Sequence, residues 1–174
     1  QLRYHVHELQ SDLSQWLRYV INTCAAFAPW IQHWEIWDEP DGALLQPPPG
    51  KSREKIYLDL VASVRGALGG LASNLTLVGG AVASLKNPFL SETLTNGLAA
   101  QINGVSYHFS FEEHSPDEAP TPPALATLSK LVEMPGFGGK PLSVWHTAGG
   151  PWHGEGGSWL RSARIPSSST LTMI

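Results

Sequence analysis

The sequence has 174 residues, is 42% hydrophobic and carries a formal net charge of −4 with only 11 Lys and Arg residues. This length suffices for one domain with a core and is too short for two domains of ordinary size. The scattered basic residues form no continuous positive track, which excludes nucleic acid as an expected partner. No apolar run approaches the roughly 20 residues that cross a bilayer, and the single cysteine, Cys24, excludes an internal disulfide. We therefore expect one soluble domain, either secreted or cytoplasmic.

Helix-like and strand-like patterns alternate along the chain. Apolar residues recur at three- and four-residue steps over residues 12–27, which predicts an amphipathic helix capped by Ser11 or Asp12. The β-branched and aromatic run 31–37 predicts a strand that stops at a polar turn. The same reasoning predicts, in order, a Pro-rich loop at 46–50, a helix at 51–68, a strand at 74–84, a helix at 88–100, a strand at 102–109, a helix at 124–133 and a strand at 141–145.

This alternation predicts an α/β fold with a parallel sheet, for which two architectures are open. A doubly wound sheet commonly carries a glycine-rich phosphate-binding turn, and neither G-x-G-x-x-G nor G-x-x-x-x-G-K-[ST] is present. A barrel instead places polar side chains at the carboxyl ends of its strands, where Asp38, Glu39, His108 and His146 fall. We therefore predict a (β/α)₈ TIM-barrel type fold, truncated or partial, because a complete barrel needs about 250 residues and eight strands.

The domain is expected to span residues 1–163. Residues 164–174 (RIPSSSTLTMI) show no periodicity and contain three consecutive serines, which predicts a loosely ordered tail or vector-derived sequence.

The segment HWEIWDEP at residues 33–40 resembles the strand-4 signature W-E-I-W-N-E-P of clan A glycoside hydrolases, particularly the β-xylosidase and α-iduronidase family. The resemblance implies that Glu39 is the catalytic acid/base and that Asp38 and Trp37 contact the substrate. Asp38 stands where the signature has Asn. Because an ionised Asp only accepts hydrogen bonds whereas Asn also donates them, this departure changes how the position can bind a sugar hydroxyl.

Two later segments extend the resemblance over strands 4 to 7 of the clan's barrel. INGVSYH at 102–108 is similar to the strand-6 pattern and implies that His108 contacts the substrate or the nucleophile. KPLSVWHTAGG at 140–150 is similar to the strand-7 end and puts Ala148 at the position of the nucleophilic glutamate. His146, Trp145 and Trp152 are further candidates for substrate binding. Glu155, in the loop HGEGG, is the alternative carboxylate near this segment.

The resemblance implies a glycosidase that hydrolyses β-glycosidic bonds with retention, and whose activity is impaired because alanine cannot attack an anomeric carbon. Carbohydrate is the expected partner. No cofactor is expected, and no metal site, since the seven histidines form no H-E-x-x-H motif. Three alternatives stay open: a non-catalytic carbohydrate-binding protein, a barrel fragment that self-associates without sugar contact, and an inverting hydrolase that uses Asp38. In each case we expect a homodimer through the open sheet edges of the partial barrel.

Overall fold

The computed structural model describes residues 6–43, 45–85, 87–110, 128, 130, 132, 141–150 and 171–173. Within them, five strands form one sheet in which every pairing is parallel. The strands are β1 (His33–Glu35), β2 (Thr76–Val82), β3 (Gly104–Ser110), β4 (Ser143–Gly150) and β5 (Leu171–Met173).

The strand order β4-β3-β2-β1-β5 distinguishes the two architectures that the sequence left open. From β1 to β4 each strand pairs with the next one along the chain, as in a barrel, whereas a doubly wound sheet reverses its direction at a switch point. The sheet also curls strongly. Thr147 on β4 donates to Glu35 on β1 at 2.7 Å, although the two strands would lie roughly 14 Å apart in a flat sheet. The predicted α/β partial barrel is confirmed.

One helix precedes β1, and the other helices connect β1 to β2 and β2 to β3. They are α1 (Val6–Phe27), α2 (Arg53–Leu68), α3 (Phe89–Thr93) and α4 (Ala99–Gln101), with a π-helical turn, Leu94–Leu98, between the last two. The apolar stripe of α1 packs into the core, because Trp16, Val20 and Cys24 are all buried in the cluster that also contains Trp34 of β1. Among the described residues, no helix combines the length and the apolar character needed to cross a membrane.

The elements differ from the predicted ones mainly at their boundaries. α1 begins at Val6, so the predicted cap at Ser11 or Asp12 is wrong, and those two residues lie inside the helix. The helix predicted over 88–100 is divided because Gly97 adopts a φ of 115°, which an α-helix does not accommodate. β4 extends to Gly150, beyond the predicted strand end.

Parts of two predictions lie outside the described residues. Of the helix predicted over 124–133, residues 128, 130 and 132 are described and all are helical. Of the tail 164–174, residues 171–173 form β5, which pairs with β1 from Leu171 opposite His33 to Met173 opposite Glu35. The rest of the predicted tail lies outside the described residues, and its loose order stays a prediction. The pairing of β5 with β1 joins residues far apart in the chain, which composition does not reveal.

Candidate active site

Glu39 lies in the turn that follows β1, at the carboxyl end of the sheet, and its backbone is held from two sides. Its N–H donates to the Ala81 carbonyl of β2 at 3.1 Å, and its own carbonyl accepts from Gly42 at 2.9 Å. Glu39 adopts a φ of 46°, a region that non-glycine residues seldom occupy. Backbone strain of this kind persists only where the surroundings fix the conformation, and it is frequent at functional sites.

Asp41 anchors the same turn to the end of β2. Its side chain is buried, and its two carboxylate oxygens accept from the backbone N–H groups of Ala83 at 3.0 Å and Ser84 at 3.4 Å. Arg53, the first residue of α2, donates to the Asp41 carbonyl at 2.8 Å and to the Leu45 carbonyl at 2.9 Å. The turn that carries Glu39 is therefore connected to β2 and to α2 by side-chain hydrogen bonds.

An irregularity in β2 provides the carbonyl that holds Glu39. The register between β2 and β3 shifts between Gly79 and Val82, and Gly80 and Ala81 adopt φ values of 108° and 42°. Two buried hydroxyls replace the backbone hydrogen bonds that the shift removes. Tyr57 accepts from Gly80 N–H at 2.8 Å and donates to the Ile36 carbonyl at 3.1 Å. Burial raises the pKa of Tyr57, so its hydroxyl keeps the proton that it donates.

Ser106 on β3 performs the same role on the other side of the irregularity. Its hydroxyl accepts from Ala81 N–H at 2.9 Å and donates to the Gly79 carbonyl at 3.3 Å. Ala81 thus receives a hydrogen bond partner for its N–H while its carbonyl faces Glu39. The position of Glu39 depends on this chain of contacts from α2 and β3 through β2.

His108 brings the carboxyl end of β3 to the Glu39 turn. Its Nδ1 lies 3.1 Å from Glu39 Oε1 and 3.8 Å from Asp38 Oδ1. The His108 side chain is 8% exposed, whereas those of Asp38 and Glu39 are 44% and 43% exposed. The imidazole is therefore fixed by packing while both carboxylates remain open to solvent and to a ligand.

Ala148 lies level with this pair. It is the register partner of His108 across β3 and β4, following a shift in register between Tyr107 and His108. The residue before it, Thr147, points into the curl and donates to Glu35, which is buried as expected for an interior polar group. Position 148 thus stands at the carboxyl edge of the sheet beside His108, and its side chain is a methyl group.

The aromatic candidates are not brought together with Glu39. Trp37 makes an edge-on contact with Trp16 of α1, with ring centroids 6.4 Å apart. It follows the end of β1, and its φ of 70° interrupts the regular alternation of side chains along the strand. Trp145 lies at the amino ends of the strands, where its ring centroid is 5.2 Å from that of His33, the first residue of β1. Neither indole is placed as a platform beside the Glu39 carboxyl group.

His146 stacks on Tyr107 of the neighbouring strand, with ring centroids 5.1 Å apart. Burial is the main cause that lowers the pKa of His146, and the charge of His108 lowers it further. A hydrogen bond with the Ala148 backbone raises this pKa but does not outweigh the burial. The last two candidates, Trp152 and Glu155, lie outside the described residues.

The residues that support the site were not predicted from the sequence. Asp41 and Arg53 had a signal, because an Asp next to a Gly is typical of a turn and the first turn of α2 follows a Pro-rich loop. Tyr57 and Ser106 had none. Their hydroxyls act at an irregularity in β2 that depends on how three strands are aligned.

Asp38, Glu39 and His108 also form a group of donors suited to a cation, with one ligand atom from each lying within 4.8 Å of the others. The arrangement therefore supports two kinds of chemistry. A half-exposed carboxyl group beside a histidine can transfer protons, and two carboxylates with an imidazole can bind a metal ion.

Comparison with known proteins supports the fold. The chain is similar to the solved structure of a family 39 glycoside hydrolase from the gut symbiont Bacteroides cellulosilyticus WH2, with a TM-score of 0.58 and 22% sequence identity. The similarity covers 78% of this chain and 29% of that chain, so the match spans less than a third of that protein. No protein-family profile and no curated protein matches the sequence.

Proposed function

We propose that this chain forms the part of a glycoside hydrolase barrel that carries the acid/base, Glu39. The contact between Glu39 Oε1 and His108 Nδ1 at 3.1 Å carries the proposal, because it joins the ends of two strands whose segments resemble clan A motifs. The likeness to a family 39 glycoside hydrolase structure supports the same reaction class. The substrate is then a carbohydrate with a β-glycosidic bond.

The chemistry follows from the exposure of the carboxyl group. In a retaining mechanism Glu39 donates its proton to the glycosidic oxygen as the bond to the anomeric carbon breaks, and the ionised Glu39 then takes a proton from the water that attacks this carbon. Glu39 is 43% exposed, which allows contact with a leaving group at the mouth of the curl. His108, buried on β3, would orient the carboxyl group.

The missing element is the second carboxylate. Ala148 occupies the position that the strand-7 resemblance assigns to the nucleophile, level with His108 in the sheet. Without a carboxylate there, no covalent glycosyl-enzyme can form at this position, and we expect hydrolysis by the chain as it stands to be very slow.

Ala148 also favours the second candidate function, carbohydrate binding without hydrolysis. The cleft keeps two half-exposed carboxylates, Asp38 and Glu39, which can accept hydrogen bonds from sugar hydroxyls. A binding protein requires these acceptors and no nucleophile.

Hydrolysis of aryl β-glycosides with added azide separates the two functions. Azide can attack the anomeric carbon in the space that Ala148 leaves while the phenol departs, which yields an α-glycosyl azide from a β-glycoside. We expect azide-dependent phenol release from the unaltered chain, and azide-independent hydrolysis by the Ala148→Glu variant. If neither occurs while the sugar still binds, the chain is a carbohydrate-binding protein. If the sugar does not bind either, both functions are excluded.

The oligomeric state forms a further part of the proposal. Within the described residues, the sheet ends in β4 on one side and β5 on the other, so two strand edges lack a neighbour. We propose that a homodimer covers them, because unpaired parallel strands expose backbone N–H and C=O groups.

A further inference from the structure

We propose that Asp38, Glu39 and His108 bind a divalent transition-metal ion, for which Zn²⁺ is the best match. This inference differs from the expectation drawn from sequence motifs, which found no metal site. The three residues do not form a motif, since His108 lies 69 positions after Glu39, and only the fold brings their donor atoms together.

The distances suit a zinc ion. Bonds of about 2.0–2.2 Å in a tetrahedral arrangement place ligand atoms roughly 3.4 Å from one another. His108 Nδ1 lies 3.1 Å from Glu39 Oε1 and 3.8 Å from Asp38 Oδ1, and all three donor atoms lie within 4.8 Å of each other. The Asp38 side chain is 44% exposed, so its carboxylate can rotate toward the other two donor atoms to reach the tetrahedral spacing.

The donor set selects the class of metal. An imidazole nitrogen with two carboxylate oxygens suits Zn²⁺, Cu²⁺ or Ni²⁺, whereas Mg²⁺ and Ca²⁺ prefer oxygen ligands alone. Two carboxylates also neutralise the charge of a divalent ion. Three protein ligands leave a fourth position for water, as in the open zinc sites of proteins.

The environment of His108 agrees with a role as ligand. The ring is 8% exposed, and its Nε2 is buried without a hydrogen bond partner among the described residues. Without an ion, Nδ1–H can donate to Glu39 Oε1 at 3.1 Å. An ion bound by Nδ1 takes the place of that proton, which then resides on Nε2, and the two carboxylates stabilise the charge of the ion.

The site combines rigidity with access. His108 is buried on β3, and the turn of Glu39 is fixed by its backbone contact with Ala81 and by the hydrogen bonds of Asp41. The side chains of Asp38 and Glu39 are nearly half exposed, so an ion can approach from solvent. A preformed site reduces the ordering cost of binding.

One consequence rests on the proposed function. A zinc ion and a proton compete for the same oxygen of Glu39, so bound Zn²⁺ would prevent this carboxyl group from acting as an acid. Metal binding itself does not depend on glycosidase activity, and the two can therefore fail separately.

Titration calorimetry of the full chain with zinc chloride in a non-chelating buffer tests the site. The Asp38→Asn variant removes one ligand with an isosteric group at an exposed position, and His108→Gln removes the nitrogen. Asp59→Asn is the matched control, because Asp59 is an exposed carboxylate on α2 that pairs with Lys55. We expect one strong site per chain, weakened at least about tenfold in both site variants and unchanged in the control.

Cobalt absorption provides a second readout, which reports the coordination of the metal instead of the heat of binding. Co²⁺ in a four-coordinate N/O site gives intense visible bands, which we expect for the unaltered chain and not for Asp38→Asn. Zinc binding of equal strength in all four proteins would place the metal elsewhere and overturn the proposal. The absence of any binding near neutral pH would also overturn it.

Discussion

At the scale of single residues, the hydroxyl of Tyr57 supports the irregular end of β2. It satisfies Gly80 N–H and the Ile36 carbonyl at once, in a buried position. The Tyr57→Phe variant keeps the ring and leaves both backbone groups without this partner. We expect the free energy of unfolding to fall by about 1–3 kcal/mol, the cost of buried polar groups without hydrogen bonds.

Urea denaturation of Tyr57→Phe measures this loss, with Tyr19→Phe as control. Tyr19 is 48% exposed on α1, so its hydroxyl can be replaced by water and the control should change by less than about 0.5 kcal/mol. An equal effect in the two variants would show that Tyr57 does not support the irregular end of β2.

Cys24 provides a second prediction at this scale. The thiol is buried on α1, and burial raises its pKa from 9.0 to about 11. Below pH 9 the thiolate fraction is then about a hundredfold smaller than for a free thiol, and access adds a further barrier. We expect Cys24 to react with a disulfide reagent at pH 8 only after denaturation. A reaction in the native protein as fast as in urea would contradict the burial of this face of α1.

The residues of the candidate site could be predicted from the sequence, but the residues that hold them in position could not. Glu39 and His108 could be predicted because each follows an apolar run, and the carboxyl ends of parallel strands meet at one edge. The hydrogen bonds of Ser106 and Tyr57 could not, since a shift in register is decided by packing among several elements.

At the scale of elements, α2 begins at Arg53, two residues after the predicted start at residue 51. Ser52 is the N-cap, and its hydroxyl accepts from Lys55 N–H at 3.2 Å. The Ser52→Ala variant should lower the free energy of unfolding by about 1 kcal/mol, because one N–H of the first turn loses its partner. Ser63→Ala is the control, because the exposed Ser63 hydroxyl donates to the Asp59 carbonyl within the helix and does not cap a helix end.

Thermal unfolding followed by circular dichroism compares these two variants. A loss in Ser63→Ala that equals the loss in Ser52→Ala would mean that the cap contributes nothing specific to α2.

Elements with a clear stop signal were predicted most closely. α2 ends at Leu68 before Gly69, which takes a φ of 52°. The start of α1 was missed because the cap-like pair Ser11 and Asp12 also tolerates a helix interior when residues before it continue the helix. The strand at 171–173 lacked any periodic signal, because a strand of three residues is too short to show one.

At the scale of the whole molecule, the order of the strands and their curl identify a partial barrel, whose sheet ends at β4 and β5 in the part of the chain that the structure describes. Val144 on β4 is 44% exposed, and a charge at such a position is a common protection against edge pairing. We expect the chain to form a dimer in light scattering, and the Val144→Lys variant to shift the equilibrium toward the monomer. Tyr19→Lys on α1 is the control for added charge. A monomer at every concentration would contradict the proposed dimer.

The central claim is that Glu39 is the acid/base. The most direct test is whether the loss of rate on replacing Glu39 depends on the acidity of the leaving group. In a chain carrying Ala148→Glu, we would compare Glu39 with Glu39→Gln on two aryl β-glycosides, one with an acidic dinitrophenol and one with a weakly acidic phenol. Only the second leaving group needs a proton.

The account predicts that Glu39→Gln lowers the rate of the bond-breaking step about 10²- to 10⁴-fold for the weakly acidic phenol and only slightly for dinitrophenol. An equal loss for both substrates, or no loss for either, would contradict the role of Glu39 as the acid.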